Sequence, residues 1–146
     1  MKSYYTLCFF FFKVLIIITF SSSAQYDPSK INKKAVETYN VGLARALDGK
    51  YKEAIMYLQA AISIEPKYID AYLSLAGVFG QTKDYQQSVA TYEKAFALDT
   101  NSTADYRLPY SINLAGLGQF EKAVATIQSL LGRDKLNPNT KKAAEY

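Results

Sequence analysis

Residues 49–66 (GKYKEAIMYLQAAISIEP) recur downstream in altered form at 84–99 and again, more loosely, at 118–127. The aromatic residue opening each copy is Tyr51, Tyr85 or Phe120, which places the copies 34 and 35 residues apart. A period of this length is the mark of stacked helical hairpins, each of which buries too little apolar surface to fold alone and leans on its neighbours. Repetition therefore constrains the architecture before any single residue is interpreted. An all-α solenoid is expected, with two helices in each unit.

The residues that carry the period are small or bulky where a helix pair has to pack. Ala54, Ser88 and Ala123 are small enough for two helices to approach closely, and Leu58, Tyr92 and Ile127 follow one turn later on the same face. At this point the chain resembles the tetratricopeptide repeat family. Counted from Ala35, Ile69 and Ala104, the small eighth position of that family is Gly42, Ala76 and Ser111, and its small twentieth position is Ala54, Ser88 and Ala123. Position twenty-seven is Ala61 and Ala95 but Leu130 in the third copy, and the helix-ending proline is present only as Pro66. The large fourth position is Tyr72 in the second copy, with Thr38 and Arg107 in the others, so the second repeat matches best and the third is degenerate. The resemblance implies a right-handed α-solenoid of three repeats at 35–68, 69–102 and 103–136, preceded by a lead-in at 25–34 and followed at 137–146 by the start of a capping helix or of a further segment.

Ahead of the repeats, Lys2 precedes an apolar run from Leu7 to Phe20 that only Lys13 interrupts, and Ser21-Ser22-Ser23-Ala24 follows. A basic start, an apolar middle and small residues form the layout of a secretory signal peptide, with cleavage expected after Ala24. A retained anchor needs roughly 20 mostly apolar residues, and Lys13 splits this run in two. No membrane span is therefore expected after cleavage. The sole cysteine, Cys8, lies within the segment to be removed. The mature chain would then have neither disulfides nor thiol chemistry, and its stability would rest on packing.

Removing residues 1–24 takes Lys2 and Lys13 and no acidic residue, which lowers the net charge from +4 to +2. Lys50, Lys52, Lys83, Lys94 and Lys122 alternate with Glu53, Asp84, Glu93 and Glu121, a pattern of solvated helix faces that disfavours nucleic acid as a partner. The chain has no histidine, so imidazole bases and imidazole metal ligands are excluded. Gly116-Leu117-Gly118 follows a helix and no strand, so it is a turn and not a phosphate loop. With no nucleophile–base pair and no metal constellation, no enzymatic activity and no cofactor are expected.

Asp27-Pro28 is expected to open a first helix running to Leu47, followed by helices at 51–65, 69–82, 85–98, 104–117 and 120–132. Pro109 lies inside the fifth of these and calls for a late start or a kink, because it removes one backbone hydrogen bond and crowds the preceding turn. The run from Lys141 to Glu145 has the composition of a helix just begun, too short for stability alone. The chain is expected to be the N-terminal part of a longer protein.

In the family that the repeats resemble, the first helix of each pair lines the concave side. Carried over residue by residue, the lining is Tyr39, Asn40 and Leu43, then Leu73, Ser74 and Val78, then Leu108, Pro109 and Ile112. Members that clamp the acidic C-termini of chaperones use Lys, Asn and Arg at positions that here carry Tyr39, Leu43, Ser74, Asp105 and Pro109, so that ligand is excluded. Such an apolar groove suits an extended peptide or an amphipathic helix of a protein partner, unless residues 25–34 or the helix at Lys141 fill it from within. Tyr51, Tyr72, Tyr85 and Tyr92 fall on core positions of the family, and Tyr39, Tyr57 and Tyr110 are open between core and contact surface.

Signal, three repeats and a new helix start in this order look like the N-terminal region of bacterial envelope proteins that continue into a β-propeller and a domain resembling outer-membrane protein A. The expected function is accordingly a periplasmic or envelope protein-interaction scaffold that takes part in assembling an outer-membrane complex. The alternative is a stand-alone periplasmic carrier of unfolded apolar segments. The register makes a direct prediction: Ala54→Leu unfolds the stack in a thermal melt by overpacking a close helix contact, whereas Leu73→Glu leaves it folded and abolishes binding in the groove.

Overall fold

The computed structural model describes residues 26–132 and 138–145, and these form seven α-helices and two 3₁₀ turns without a strand among the described residues. The proposed signal segment 1–24, Cys8 within it and the 133–137 connection lie outside the described residues. The helices are α1 (Lys33–Leu47), α2 (Tyr51–Ile64), α3 (Ile69–Gln81), α4 (Tyr85–Leu98), α5 (Arg107–Gly116), α6 (Phe120–Leu131) and α7 (Pro138–Ala144). They pair as hairpins, α1 with α2, α3 with α4 and α5 with α6, and consecutive hairpins stack through α2 on α3 and α4 on α5.

The three hairpin turns are built alike. Each first helix closes with a backbone N–H reaching a carbonyl five residues earlier, Lys50 to Arg45, Asp84 to Phe79 and Gln119 to Leu114, every one of them 2.9 Å long. This closure needs a residue with positive φ just before the donor, supplied by Gly49 at 73° and Gly118 at 75°. In the middle repeat Lys83 takes that conformation at 62°, a cost on the order of 1 kcal/mol that the stacked helices on either side must offset.

Inside each hairpin the small positions set the separation. A Cβ placed on Gly42 would lie 2.9 Å from Cγ of Leu58, so glycine is what lets α1 reach a fully buried leucine of α2. Ser88 is fully buried and donates its hydroxyl to the Ala76 carbonyl at 2.8 Å, which ties α4 to α3 and satisfies the one polar group placed there. Above these contacts lies a core of Leu73, Tyr92, Phe96, Tyr110 and Leu114 with smaller neighbours, shared by α3, α4, α5 and α6. A second cluster joins Ala54 and Leu58 to Leu75, Val78 and Phe79. Tyr110 is thereby a core residue, edge-on to Phe96 at 5.2 Å.

Two expected boundaries are corrected. The first helix does not run from Asp27: Asp27 caps a single 3₁₀ turn, Pro28–Lys30, the chain becomes extended at Ile31, and Asn32 caps α1 afresh by accepting from the Lys34 N–H at 2.9 Å. Pro109 resolves as a late start. Residues Ala104–Tyr106 form a 3₁₀ turn, and α5 begins at Arg107, which leaves Pro109 in the first turn where a missing N–H breaks no helical bond. The longer junction before it is organised by Asp99, whose carboxylate accepts from the N–H of Asn101 at 2.8 Å and of Ser102 at 3.1 Å.

On the outer side, Glu93 of α4 accepts from the Tyr110 hydroxyl at 2.8 Å and from Lys122 of α6 at 2.9 Å, and so links three helices. Lys122 first, and Tyr110 next, hold the Glu93 carboxyl below its ordinary value of 4.5. A carboxyl with a depressed pKa stabilises the fold only while ionised, so its contribution is full above the ordinary value and is lost as the pH falls through the depressed one. Because the pair is half exposed, the contribution is below about 1 kcal/mol. Glu93→Gln is expected to lower the melting temperature slightly at neutral pH, with the difference from the unmodified chain closing in melts recorded below pH 4.5.

Candidate functional site

The first helices of successive hairpins, α1 and α3, meet along one side of the stack. Tyr39 of α1 is half-buried there, its hydroxyl 3.1 Å from Oγ of Ser74 on α3 and its ring 5.0 Å from that of Tyr68. Toward the C-terminal ends of the two helices the surfaces diverge and leave an open pocket of about 350 Å³, lined by Leu43, Ala46 and Leu47 from α1 and by Ser74, Gly77 and Val78 from α3. Its wall is apolar apart from the Ser74 hydroxyl and Gln81 at the rim. Leu47 is 89% exposed at the last position of α1, more than any other large apolar side chain among the described residues.

At the opposite end of the same side an acidic and aromatic cluster forms around Asp70. The hydroxyl of Tyr26, from the lead-in, donates to the Asp70 carboxylate at 2.8 Å, and the Tyr26 N–H reaches Asp99 at 3.3 Å. Burial first, and the Asp70 bond next, push the Tyr26 hydroxyl well above the usual tyrosine range. Tyr68 is raised to about 12 by burial and by the nearby Tyr39 and Asp70. Tyr106 is raised by burial and then by the charges of Asp70, Tyr39 and Asp105, which places all four groups in one neighbourhood. Ring faces and carboxylates together make this end hospitable to cations and hostile to anions. Among the described residues, no three of His, Cys, Asp and Glu come together as a metal site.

The lining expected from the repeat register is thus distributed unevenly. Leu43, Ser74 and Val78 share the α1/α3 pocket, with Val78 almost fully buried at its base. Tyr39 borders it through Ser74, and Asn40 points outward in exposed helix. Leu108 and Ile112 line a different pocket against α6 and α7, and Pro109 uses its carbonyl to accept from Asn113 at 2.6 Å. Leu73 is the correction. It is 4% exposed and packs among Tyr92, Phe96 and Tyr110, so it belongs to the core and not to a groove. Leu47, Tyr26 and Asp70 are the residues that sequence reasoning missed. An apolar residue immediately before Asp48-Gly49, where a helix end has no partner to cover it, was the available signal for Leu47.

The lead-in answers in part whether the chain fills its own groove. Tyr26 and Ile31 pack against the cluster of Ala35, Ala61, Tyr68 and Ala71, and Tyr26 also touches the larger core, whereas the pocket at Leu43 and Leu47 lies open. The expectation for Leu73 reverses accordingly. Leu73→Glu, which buries an unpaired charge, should cost several kcal/mol, about 3 or more, and unfold the chain in a circular-dichroism melt, while Leu47→Glu leaves the melt within about 0.5 kcal/mol of the unmodified protein.

Comparison with known proteins agrees with this geometry. The tetratricopeptide repeat profile matches residues 45–108. The BBSome complex member BBS4 of Bos taurus is 30% identical over 92 residues, which is 63% of this chain and 18% of that protein. The protein O-mannosyl-transferase Tmtc3 of Drosophila melanogaster is 33% identical over 69 residues, 47% of this chain and 8% of that protein. The chain therefore spans less than a fifth of the length of either relative. Among solved structures, the MamA protein superposes with a TM-score of 0.63 at 24% identity, covering 77% of this chain and 57% of that one. The first such domain of Spaghetti (RPAP3), solved bound to an HSP90 peptide, SRMEEVD, gives 0.68 at 19% identity, with coverage of 77% and 88%. No helix among the described residues is long and apolar enough to cross a membrane. The segment 45–108 thus matches the tetratricopeptide repeat, and the stacked hairpins of this chain fold as a tetratricopeptide-repeat solenoid.

Proposed function

We propose that this chain is an exported, non-enzymatic scaffold that holds a peptide or helix of a partner protein along the α1/α3 side. The observation that carries the reading is the open pocket of about 350 Å³ at Leu43, Leu47 and Val78, a concave and mostly apolar surface of the kind that receives a partner's side chain. An apolar anchor residue of the partner would enter there, with its backbone or a polar side chain within reach of Ser74. Asp70 and Asp105 at the other end favour a partner that is neutral or basic near the lead-in, so acidic peptides of the kind seen with Spaghetti (RPAP3) are disfavoured here. Lys2, the apolar run and the small residues before Ala24 support export to the periplasm or cell envelope with cleavage after Ala24. In that compartment the domain would contribute one contact surface to an outer-membrane complex.

One experiment addresses export and binding together. The chain is produced in a diderm bacterium, recovered from the periplasmic fraction, sequenced from its N-terminus and panned against a displayed peptide library. The expected result is an N-terminus at Gln25 and enrichment of peptides with an apolar anchor and no net negative charge, lost on Leu47→Glu and Leu43→Glu. An uncleaved cytosolic product would overturn the export reading, and enrichment indifferent to both substitutions would overturn the pocket.

A further inference from the structure

We propose that the cleft between α2 and α4, on the outer side of the stack, is a binding site for a phenol. The template is inside the chain, because the next junction already holds such a group. There the ring of Tyr110 on α5 packs edge-on against Tyr92 and Phe96 of α4, with centroids 6.2 Å and 5.2 Å away. Its hydroxyl donates to the Glu93 carboxylate at 2.8 Å, and Lys122 of α6 closes the arrangement by reaching the same carboxylate at 2.9 Å. One repeat earlier the three aromatic positions are Leu58, Ile62 and Leu75, and the two charged positions are Gln59 and Gln87. The same place in the stack therefore has aliphatic side chains where the next junction has rings, and two neutral amides where it has an ion pair.

The exchange leaves a cleft of about 250 Å³, bordered by Gln59 and Ile62 of α2, Tyr72, Leu75 and Phe79 of α3 and Gln87 of α4. Leu75 and Phe79 are almost fully buried and make its apolar floor. Among the described residues, neither Gln59 nor Gln87 makes a side-chain hydrogen bond. A primary amide offers an acceptor oxygen and a donor nitrogen, so one phenolic hydroxyl can donate to one glutamine and accept from the other. The pair would thus do for a neutral guest what Glu93 and Lys122 do for Tyr110. The ring of the guest would cover Leu75 and Phe79 and meet Tyr72 at the side, the mixture of apolar contact and a few polar groups that ligand sites share. Lys94 is the one charged residue in the lining, which disfavours a cationic ring. None of these residues borders the α1/α3 pocket, so the cleft is separate from the site proposed above.

The test titrates p-cresol, the side chain of tyrosine as a free molecule, into the full chain and follows the backbone amides by NMR, with toluene as the ring that lacks a hydroxyl. Saturable shifts centred on Gln59, Leu75 and Gln87 are expected, with half-saturation below about 10 mM. Toluene should bind about tenfold more weakly. Gln59→Leu and Gln87→Leu, both at exposed positions, should each weaken p-cresol about fivefold and leave the circular-dichroism spectrum unchanged. Leu75→Tyr is expected to abolish binding, because it puts the chain's own phenol into the cleft as Tyr110 does at the next junction. N-acetyltyrosinamide separates two sources of the ligand: affinity equal to that of p-cresol supports a tyrosine side chain of a partner, and exclusion of the amide supports a free phenol. The proposal is overturned by shifts that do not saturate, by toluene binding as tightly as p-cresol, or by shifts centred on Leu43 and Val78. It is overturned as well by p-cresol affinity unchanged in both folded glutamine variants, or undiminished in a folded Leu75→Tyr chain.

Discussion

The rest of the molecule depends on how closely the two helices of each hairpin approach. Gly42 against Leu58, and Ala76 against Ser88, bring backbones near enough for a side-chain hydroxyl to bond the facing carbonyl at 2.8 Å. Such contacts leave no room for an extra methyl group, so the geometry of one hairpin is copied into the next and the stack acquires a regular repeat. Once that spacing is set, the larger side chains have only one place to go. Leu73, Tyr92, Phe96, Tyr110 and Leu114 fill the space between hairpins and join four helices in one cluster. The proposed pocket lies where this filling stops, at the diverging ends of α1 and α3.

The ends of the stack are finished differently. At the N-terminal end Arg45 replaces an apolar residue, and the lead-in is drawn onto the solenoid by Tyr26, which bonds Asp70 and Asp99 and so ties the first residues described to the junction between the second and third repeats. On α6, Ala123 and Leu130 are buried, while Phe120 and Val124 are exposed among the described residues.

Much of the fold was legible in the sequence because it rests on local rules. Two of the three turns are marked by glycine, at Gly49 and Gly118, while Lys83 gave no such signal; the helix bounds agree with the structure within a residue or two apart from the first helix and the start of α5, and the small positions at Gly42, Ala54, Ser88 and Ala123 are buried as the repeat register requires. The candidate site was read less well. Positional analogy placed Leu73 on a groove, but its direction depends on how α3 crosses α4 and α5, and in this chain that crossing turns it toward Tyr92 and Tyr110. The same analogy treated Leu43 and Ile112 as parts of one surface, whereas the structure assigns them to separate pockets. Tyr26 carried no signal at all, since its partners are 44 and 73 residues away.

What the sequence by itself determined was the number of hairpins, their period and the places where helices touch, because each follows from residues within a turn or two of one another or from identical positions one repeat apart. Only the tertiary structure decided which apolar residues are core and which are left in water, and that the lead-in folds back onto Asp70. Those outcomes depend on the crossing of helices distant in the chain, and side-chain size at one position does not encode the direction in which a neighbouring helix will pass over it.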